Sequence, residues 1–283
     1  MMVALLEPKP ARQPAIALPQ PPLLSIVIPA RDEAHRIGGL LLRIARDLEA
    51  RGRSAEVIVV DDGSRDATAT IAEGHAELFD ALRVLRSNET NGKGAAVRAG
   101  WSDARGGLVL TMDVGSTAPL QALDRLEDFI RRGFDVVVGA RAWRNGARTM
   151  GARVASFAAR GLATVAATLV PTGIRDTQTG CKLVRGSTAR DLARRSEIDG
   201  RAFDVEVLAL ARKLGLRIVE VEVPAPLPRR PSARELAQAP RTVADLLRIR
   251  RRLVHRRSDP VPSPHRRSRR RPDETGEFTQ SEA

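Results

Sequence analysis

The sequence predicts a doubly wound, mostly parallel α/β sheet flanked by helices. Three observations predict it. Val57-Ile58-Val59-Val60 is a run of β-branched residues suited to a strand buried on both faces. Apolar runs of this kind alternate with segments of helical periodicity along residues 24–223. Three of the runs end in charged side chains: Asp61 and Asp62, Asp113, and Arg141. Ligands of open α/β sheets bind at the carboxyl ends of strands, so these residues mark the candidate site.

In chain order, Leu24 to Ile28 reads as the first strand, stopped by Pro29. Ile37, Leu40, Leu41, Ile44 and Leu48 then recur at helical spacing. After the central strand, Ser64 or Asp66 caps a helix from about Ala67 to Leu78. Leu82 to Leu85 is a short strand. The run from Asn88 to Ala96 is glycine-rich with one lysine, Lys93, and opens a helix to Ala104. Glycines, a helix N-terminus and an ammonium together suit a phosphate, although an ordinary loop has the same composition. Gly107 to Met112 is a buried strand ending in Asp113-Val114-Gly115-Ser116-Thr117. A helix follows from Pro119 to Ile130, and then a strand from Asp135 to Arg141.

Beyond Arg141, Ala152 to Leu169 reads as a core-packing or interfacial helix. Ile174 to Leu183 is a dense polar run between apolar flanks. Asp199 to Leu208 opens another helix, and Arg217 to Val223 alternates as an edge strand. Leu246, Leu247, Ile249 and Leu253 alternate with Arg248, Arg250, Arg251 and Arg252 in a basic amphipathic helix. The chain accordingly divides into a Pro-rich leader (1–22), an α/β domain (23–225), a basic amphipathic segment (226–256) and a polar tail (257–283).

Composition excludes several chemistries. Cys181 is the single cysteine, so neither a disulfide framework nor a thiolate zinc cluster is available. The four histidines are not paired at ligand spacing. The net charge of +13 is concentrated late, with fifteen Arg against three carboxylates between Arg229 and Arg271. With no Tyr in the chain and no aromatics interleaved in that stretch, nothing there stacks bases. An anionic membrane surface is therefore the expected partner of the tail, and nucleic acid is not. The N-terminus lacks the basic start and long apolar core of a signal peptide, and no stretch reaches eighteen uninterrupted apolar residues.

At the end of the central strand, Asp61 and Asp62 are acceptors suited to sugar hydroxyls or the N–H of a base. An Asp-Gly turn with a helix cap would read the same way. The motifs taken together resemble the inverting glycosyltransferases of the GT-A fold, in family 2, and among them the polyprenyl-phosphate sugar transferases. "SIVIPARDEA" matches the family's Pro-x-x-Asn-Glu opening, and "VIVVDDGSRDAT" and "NGKGAA" match its nucleotide-sugar segments. "IRDTQTGCKL" and "GRAFDVEVLALARKLG" look most like the dolichyl-phosphate glucosyltransferase branch.

The resemblance implies a role for each matching residue. Pro29, Arg31, Glu33, Val60, Asp61 and Asp62 would hold the uracil and ribose of a nucleotide sugar, with Arg31 standing where a tyrosine is usual. Lys93 would face the pyrophosphate, with Asp113 and Val114 beside it, and Arg141 would hold donor or acceptor phosphate. Asp176 and Gln178 would lie at the sugar and the acceptor phosphate. Lys182, Phe203 and Asp204 would form the acceptor pocket, and Arg229, Arg230 and Ser232 would replace the family's phosphate-binding loop. The family's Asp-x-Asp, which chelates Mg²⁺ or Mn²⁺, reads Asp113-Val114-Gly115 here, leaving Asp113 as the metal ligand. The implied function is transfer of a hexose, glucose from UDP-glucose on this branch, to a polyprenyl or dolichyl phosphate. The implied location is peripheral, on the cytoplasmic face of the membrane. Two other readings share these motifs: the same fold acting on a soluble or cell-wall acceptor, and a lapsed enzyme that only binds nucleotide sugar.

Overall fold

A computed structural model of the chain describes residues 24–115, 118–141, 169–170, 173–174, 176–177, 179–223 and 238–255. Its centre is a seven-stranded sheet of order β3-β2-β1-β4-β6-β5-β7. The strands are β1 (Leu24–Ala30), β2 (Glu56–Asp61), β3 (Ala81–Arg86), β4 (Leu108–Thr111), β5 (Val136–Arg141), β6 (Lys182–Arg185) and β7 (Ile218–Val223). All neighbouring pairs are parallel except those of β6, which runs antiparallel to both β4 and β5.

The helices are α1 (Ala34–Ala50), α2 (Thr68–Glu73), α3 (Lys93–Asp103), α4 (Ala118–Gln121), α5 (Leu123–Arg131), α6 (Gly186–Arg195), α7 (Phe203–Lys213) and α8 (Ala239–His255). They form two layers because successive strand residues point to opposite faces. Ile26, Ile28, Val57 and Val59 face Ile37, Leu40, Leu41 and Ile44 of α1 and Leu123, Leu126 and Ile130 of α5. Val27, Ile58 and Val60 face the other way, toward Val97 and Trp101 of α3 and the apolar sides of α6, α7 and α8. At Gly100 a side chain would strike Val27, so α3 lies directly on β1.

Two elements went unread in the sequence. Strand β6 is only four residues long and begins with Lys182, so it was absorbed into the polar run that precedes it. Helix α6 follows it at once. The basic helix predicted around Leu246 is α8, but its apolar side is already occupied. Leu246 and Ile249 are buried in the core shared with α7, and Arg252 reaches Glu206 of α7 at 2.8 Å. The opposite side of the helix is exposed and carries Arg241, Arg248, Arg250 and Arg251 beside Val243 and Leu247. The helix expected over Ala152 to Leu169 lies outside the described residues, apart from Leu169 itself, as do the leader and the tail. No helix among the described residues is long and apolar enough to cross a membrane.

Candidate active site

The parallel strands β1, β2 and β4 end on one rim, and the residues just past them carry the site. Pro29 stands opposite Val60 in the β1–β2 register. The turn after β1 is locked to the turn after β2. The Asp32 amide donates to Ser64 Oγ at 2.9 Å, and the Arg65 amide donates to Asp32 Oδ1 at 2.8 Å. Ser64 Oγ in turn donates to Asp61 Oδ1. The Glu33 amide donates to Thr68 Oγ1 and the Ala34 amide to Asp66 Oδ2, so α1 starts from a scaffold supplied by the residues after β2. Asp66 also takes the amide of Thr68, as a helix-opening carboxylate should. Arg31 lies beside this clasp, its Nε buried without a hydrogen-bond partner and 3.6 Å from Asp32 Oδ2.

The glycine-rich loop serves a different purpose from the one its composition suggests. The amides of Asn91 and Gly92 donate to the Asp62 carboxylate, at 2.7 and 3.0 Å to Oδ1. Those of Gly94 and Ala95 donate to the carbonyl of Asp199, at 2.7 and 3.2 Å. These amides, which a phosphate would have used, are thus engaged within the protein. The glycines serve close approach to other chain segments. A side chain at Gly92 would meet Asp199 O, and one at Gly94 would meet Ile198 O, Phe203 Cβ and Gly200 O. Asp62 accordingly holds the loop by both oxygens.

What the loop delivers is Lys93, the first residue of α3. Its Nζ lies 2.9 Å from Asp113 Oδ1 and 3.9 Å from Asp204 Oδ2. Asp204 Oδ1 lies 2.7 Å from Nζ of Lys182, which also donates to the carbonyl of Thr179. Carboxylates and ammonium groups therefore alternate from Asp113 through Lys93 and Asp204 to Lys182. Lys182 enters the rim because β6 is antiparallel: it pairs with Thr111 at the end of β4 and with Val138 of β5. Gly180 lies directly under the Asp113 carboxylate, where any side chain would collide with it.

Burial alone would push the Lys93 ammonium down, but Asp113 and Asp204 outweigh it and hold its pKa above the ordinary value. Burial would likewise push Asp113 up, yet Lys93, Lys182 and Arg201 together hold it below the ordinary carboxylate range. Both groups are charged at neutral pH. Arg201 is a member of this site that sequence reasoning missed. Its signal was its place two residues before Phe203-Asp204.

Several side chains named from sequence lie elsewhere. Val60 and Val114 are buried in the two apolar cores, so only their backbones can face a ligand. Phe203 is buried edge-to-face against Trp101 (5.8 Å, 64°). Asp176 is buried, its amide on Glu220 Oε1 at 2.8 Å, and next to it Thr177 Oγ1 is buried without a hydrogen-bond partner. Arg141 closes β5. The Arg141 side chain, Gln178, Arg229, Arg230 and Ser232 lie outside the described residues.

The described residues do not by themselves form a site for a resident divalent ion. Such an ion takes about six oxygen ligands, usually including one or two carboxylates. At the end of β4 the chain offers Asp113, whose Oδ1 is engaged by Lys93, then Val114 in the core, then Gly115. Among the described residues no three His, Cys, Asp or Glu side chains converge as a metal site would require.

Comparison with known proteins places this rim in a family. The chain is 35% identical over 214 residues to a dolichyl-phosphate beta-glucosyltransferase of Drosophila melanogaster, covering 71% of this chain and 66% of the relative. It is 32% identical over 213 residues to the one of Dictyostelium discoideum, covering 71% and 65%. The chain thus spans about two thirds of the length of these curated relatives. Among solved structures, mannosyl-3-phosphoglycerate synthase of Rubrobacter xylanophilus superposes with a TM-score of 0.60 at 22% identity, over 86% of this chain and 78% of that one. Glucosyl-3-phosphoglycerate synthase of Mycobacterium tuberculosis, solved with Mn²⁺, UDP and glucosyl-3-phosphoglycerate, gives 0.60 at 22%, over 81% and 80%. These structures share the GT-A fold expected from the sequence. The family model for Glycosyl transferase family 2 matches residues 25–192, and with it the strand ends, the Lys93 loop and the segment leading into β6: the chain belongs to glycosyl transferase family 2.

Proposed function

We propose that this chain transfers glucose from UDP-glucose to the phosphate of a polyprenyl or dolichyl lipid, with inversion at the sugar. One observation carries the reading. The Lys93–Asp113–Asp204–Lys182 array joins the strand-end motifs of the nucleotide-sugar half to the segment whose sequence is that of the dolichyl-phosphate glucosyltransferase branch. Sequence identity to the relatives named dolichyl-phosphate beta-glucosyltransferase extends over both halves.

In this reading Arg31, Glu33 and the clasped turns after β1 and β2 receive the uracil and ribose. The acceptor phosphate is already ionised, so the reaction asks for little general base. A phosphate oxygen attacks the anomeric carbon, the bond from that carbon to the diphosphate oxygen breaks, and the electron pair leaves with UDP. One negative charge thereby moves from acceptor to leaving group. The protein's contribution is alignment and electrostatic stabilisation of that charge. Asp176 and Gln178 are assigned to the sugar and acceptor end, and Arg141, Arg229 and Arg230 to the phosphates.

The exposed side of α8 is assigned to an anionic, cytoplasm-facing membrane surface, with Arg241, Arg248, Arg250 and Arg251 attracted electrostatically and Leu247 set among them. The test is incubation of the full chain with UDP-glucose and a short polyprenyl phosphate, followed by mass spectrometry of the lipid fraction. A hexosyl lipid phosphate is expected. Transfer to a soluble phosphate acceptor in its place would favour the soluble-acceptor reading. UDP binding without transfer to either acceptor would favour the lapsed one.

A further inference from the structure

We propose that the departing diphosphate is met by the ammonium of Lys93, clamped between Asp113 and Asp204, and not by a resident divalent ion. The inference rests on the nucleotide-sugar reading above and adds the group that stabilises its leaving charge.

The donor set is the first support. The turn after β4 supplies one carboxylate where a cage would need more, and Lys93 is already on it at 2.9 Å. Val114, between Asp113 and Gly115, is held in the apolar core, so its position cannot provide the missing ligand by rotation.

The second support is fixation of the ammonium. Lys93 opens α3 behind a loop bound by Asp62 on one side and by the Asp199 carbonyl on the other. Its Nζ is further held by two carboxylates. A charge so placed costs little reorganisation when the leaving group appears, which is what makes fixed dipoles and charges effective in a site.

Charge balance is the third. Lys182 sits behind Asp204 and neutralises it, so Asp204 does not cancel Lys93. Lys93 and Lys182 stand against Asp113 and Asp204, and Arg201 adds positive potential at Asp113. Exposure then separates the two ammonium groups. The Lys182 side chain is 2% exposed, whereas those of Lys93 and Asp113 are 29% and 45% exposed. Of the two ammonium groups, Lys93 is the one that opens to the rim.

As the bond from the anomeric carbon to the diphosphate oxygen breaks, its electron pair stays on that oxygen. A Lys93 N–H donates a hydrogen bond to it, and no proton is transferred. Asp113 then acts as a positioning residue through Lys93.

Calorimetry of UDP binding to the full chain, in EDTA and in Mn²⁺, tests this directly. The two affinities are expected to agree within about twofold. Lys93→Gln should weaken binding about tenfold or more, the scale of one charge-assisted hydrogen bond, and Lys93→Arg should recover part of the loss. Mn²⁺ titrated alone should not bind the wild-type chain, whereas Gly115→Asp, whose added side chain meets none of the described residues within 4 Å, should create a Mn²⁺ site and Mn²⁺-dependent UDP binding. Wild-type UDP binding that needs Mn²⁺ and vanishes in EDTA would overturn the inference and leave the nucleotide-sugar reading standing. Absence of UDP binding in either buffer would overturn both. Thermal unfolding of Lys93→Gln is the control for its fold, and the wild-type and Gly115→Asp arms stand without it.

Discussion

A single backbone amide, that of Gly92, is shared by both oxygens of Asp62, at 3.0 and 3.1 Å, while Oδ1 also takes the amide of Asn91. A strand-end carboxylate thus fixes the loop that carries Lys93. Asp62→Ala should destabilise the fold by about 1.5–3 kcal/mol, the range for hydrogen bonds to a charged group, and weaken UDP binding as Lys93 loses its anchor. Asp62→Asn keeps an acceptor oxygen and should lose less of both. Urea unfolding beside UDP calorimetry reads the two effects. Equal losses from the two variants would mean that charge, not the geometry of acceptance, holds the loop.

Gly94 and Gly115 make a matched pair. An added methyl at Gly94 would fall within 3.0 Å of Ile198 O, Phe203 Cβ and Gly200 O, so Gly94→Ala should cost about 1–3 kcal/mol as an overpacked contact. Among the described residues nothing lies within 4 Å of a side chain added at Gly115, and Gly115→Ala should stay within about 0.5 kcal/mol of wild type. Thermal melts of both variants decide it, and a reversed order would mean that α3 does not sit against the 198–203 segment.

The Lys93–Asp113 pair has a defined pH window. Asp113 is held below its ordinary value of 3.8, so the stability it contributes is present above that value and is lost as pH falls through the lower, folded one. Lys93 is held above its ordinary 10.5, so its contribution is complete below that value and is lost as pH rises through the higher, folded one. Between these limits the pair should be indifferent to pH. Stability measured against pH for wild type and Asp113→Asn should diverge above the acid limb and converge within it. Parallel curves would remove Asp113 from the ion pair.

Two adjacent leucines of α8 separate packing from surface binding. Leu246 is fully buried, and Leu246→Ala should destabilise by about 2–5 kcal/mol. Leu247 is 42% exposed, and Leu247→Ala should leave the melting temperature nearly unchanged while reducing flotation with acidic liposomes. Flotation should also fall with added salt, since the arginine attraction is screened. Unchanged flotation of Leu247→Ala and of an Arg248→Ala/Arg251→Ala double variant would remove α8 from the membrane surface.

The strongly periodic parts of the chain were legible from residues alone. The β-branched runs of β1, β2, β4 and β5 and the apolar spacing of α1 could be placed because strand burial and helical periodicity are local properties. Strand β6 could not, because a four-residue strand opening on lysine is explained only by its partners β4 and β5. The site divides in the same way. Asp113, Lys93, Lys182 and Asp204 could be named as candidates, but their alternation is a tertiary fact. The glycine-rich loop was ambiguous for a physical reason. Glycine permits close approach to phosphate and to backbone alike, and only the position of Asp199 shows which is present.

The reversed direction of β6 also bears on how such a protein can change. A strand that runs against its neighbours begins at the rim where theirs end, so the segment leading into it reaches the ligand edge without a crossover. Residues 24–115 and residues 176–204 are therefore two independently written contributions to one rim, spliced between β4 and β5. Under the proposed assignment of this part of the rim to the acceptor, substitutions at residues 176–182 change what approaches there, while the register of β1, β2 and β3 has no stake in them. On that assignment, new acceptors can be reached by drift in one part of the gene, with the proposed donor half held constant.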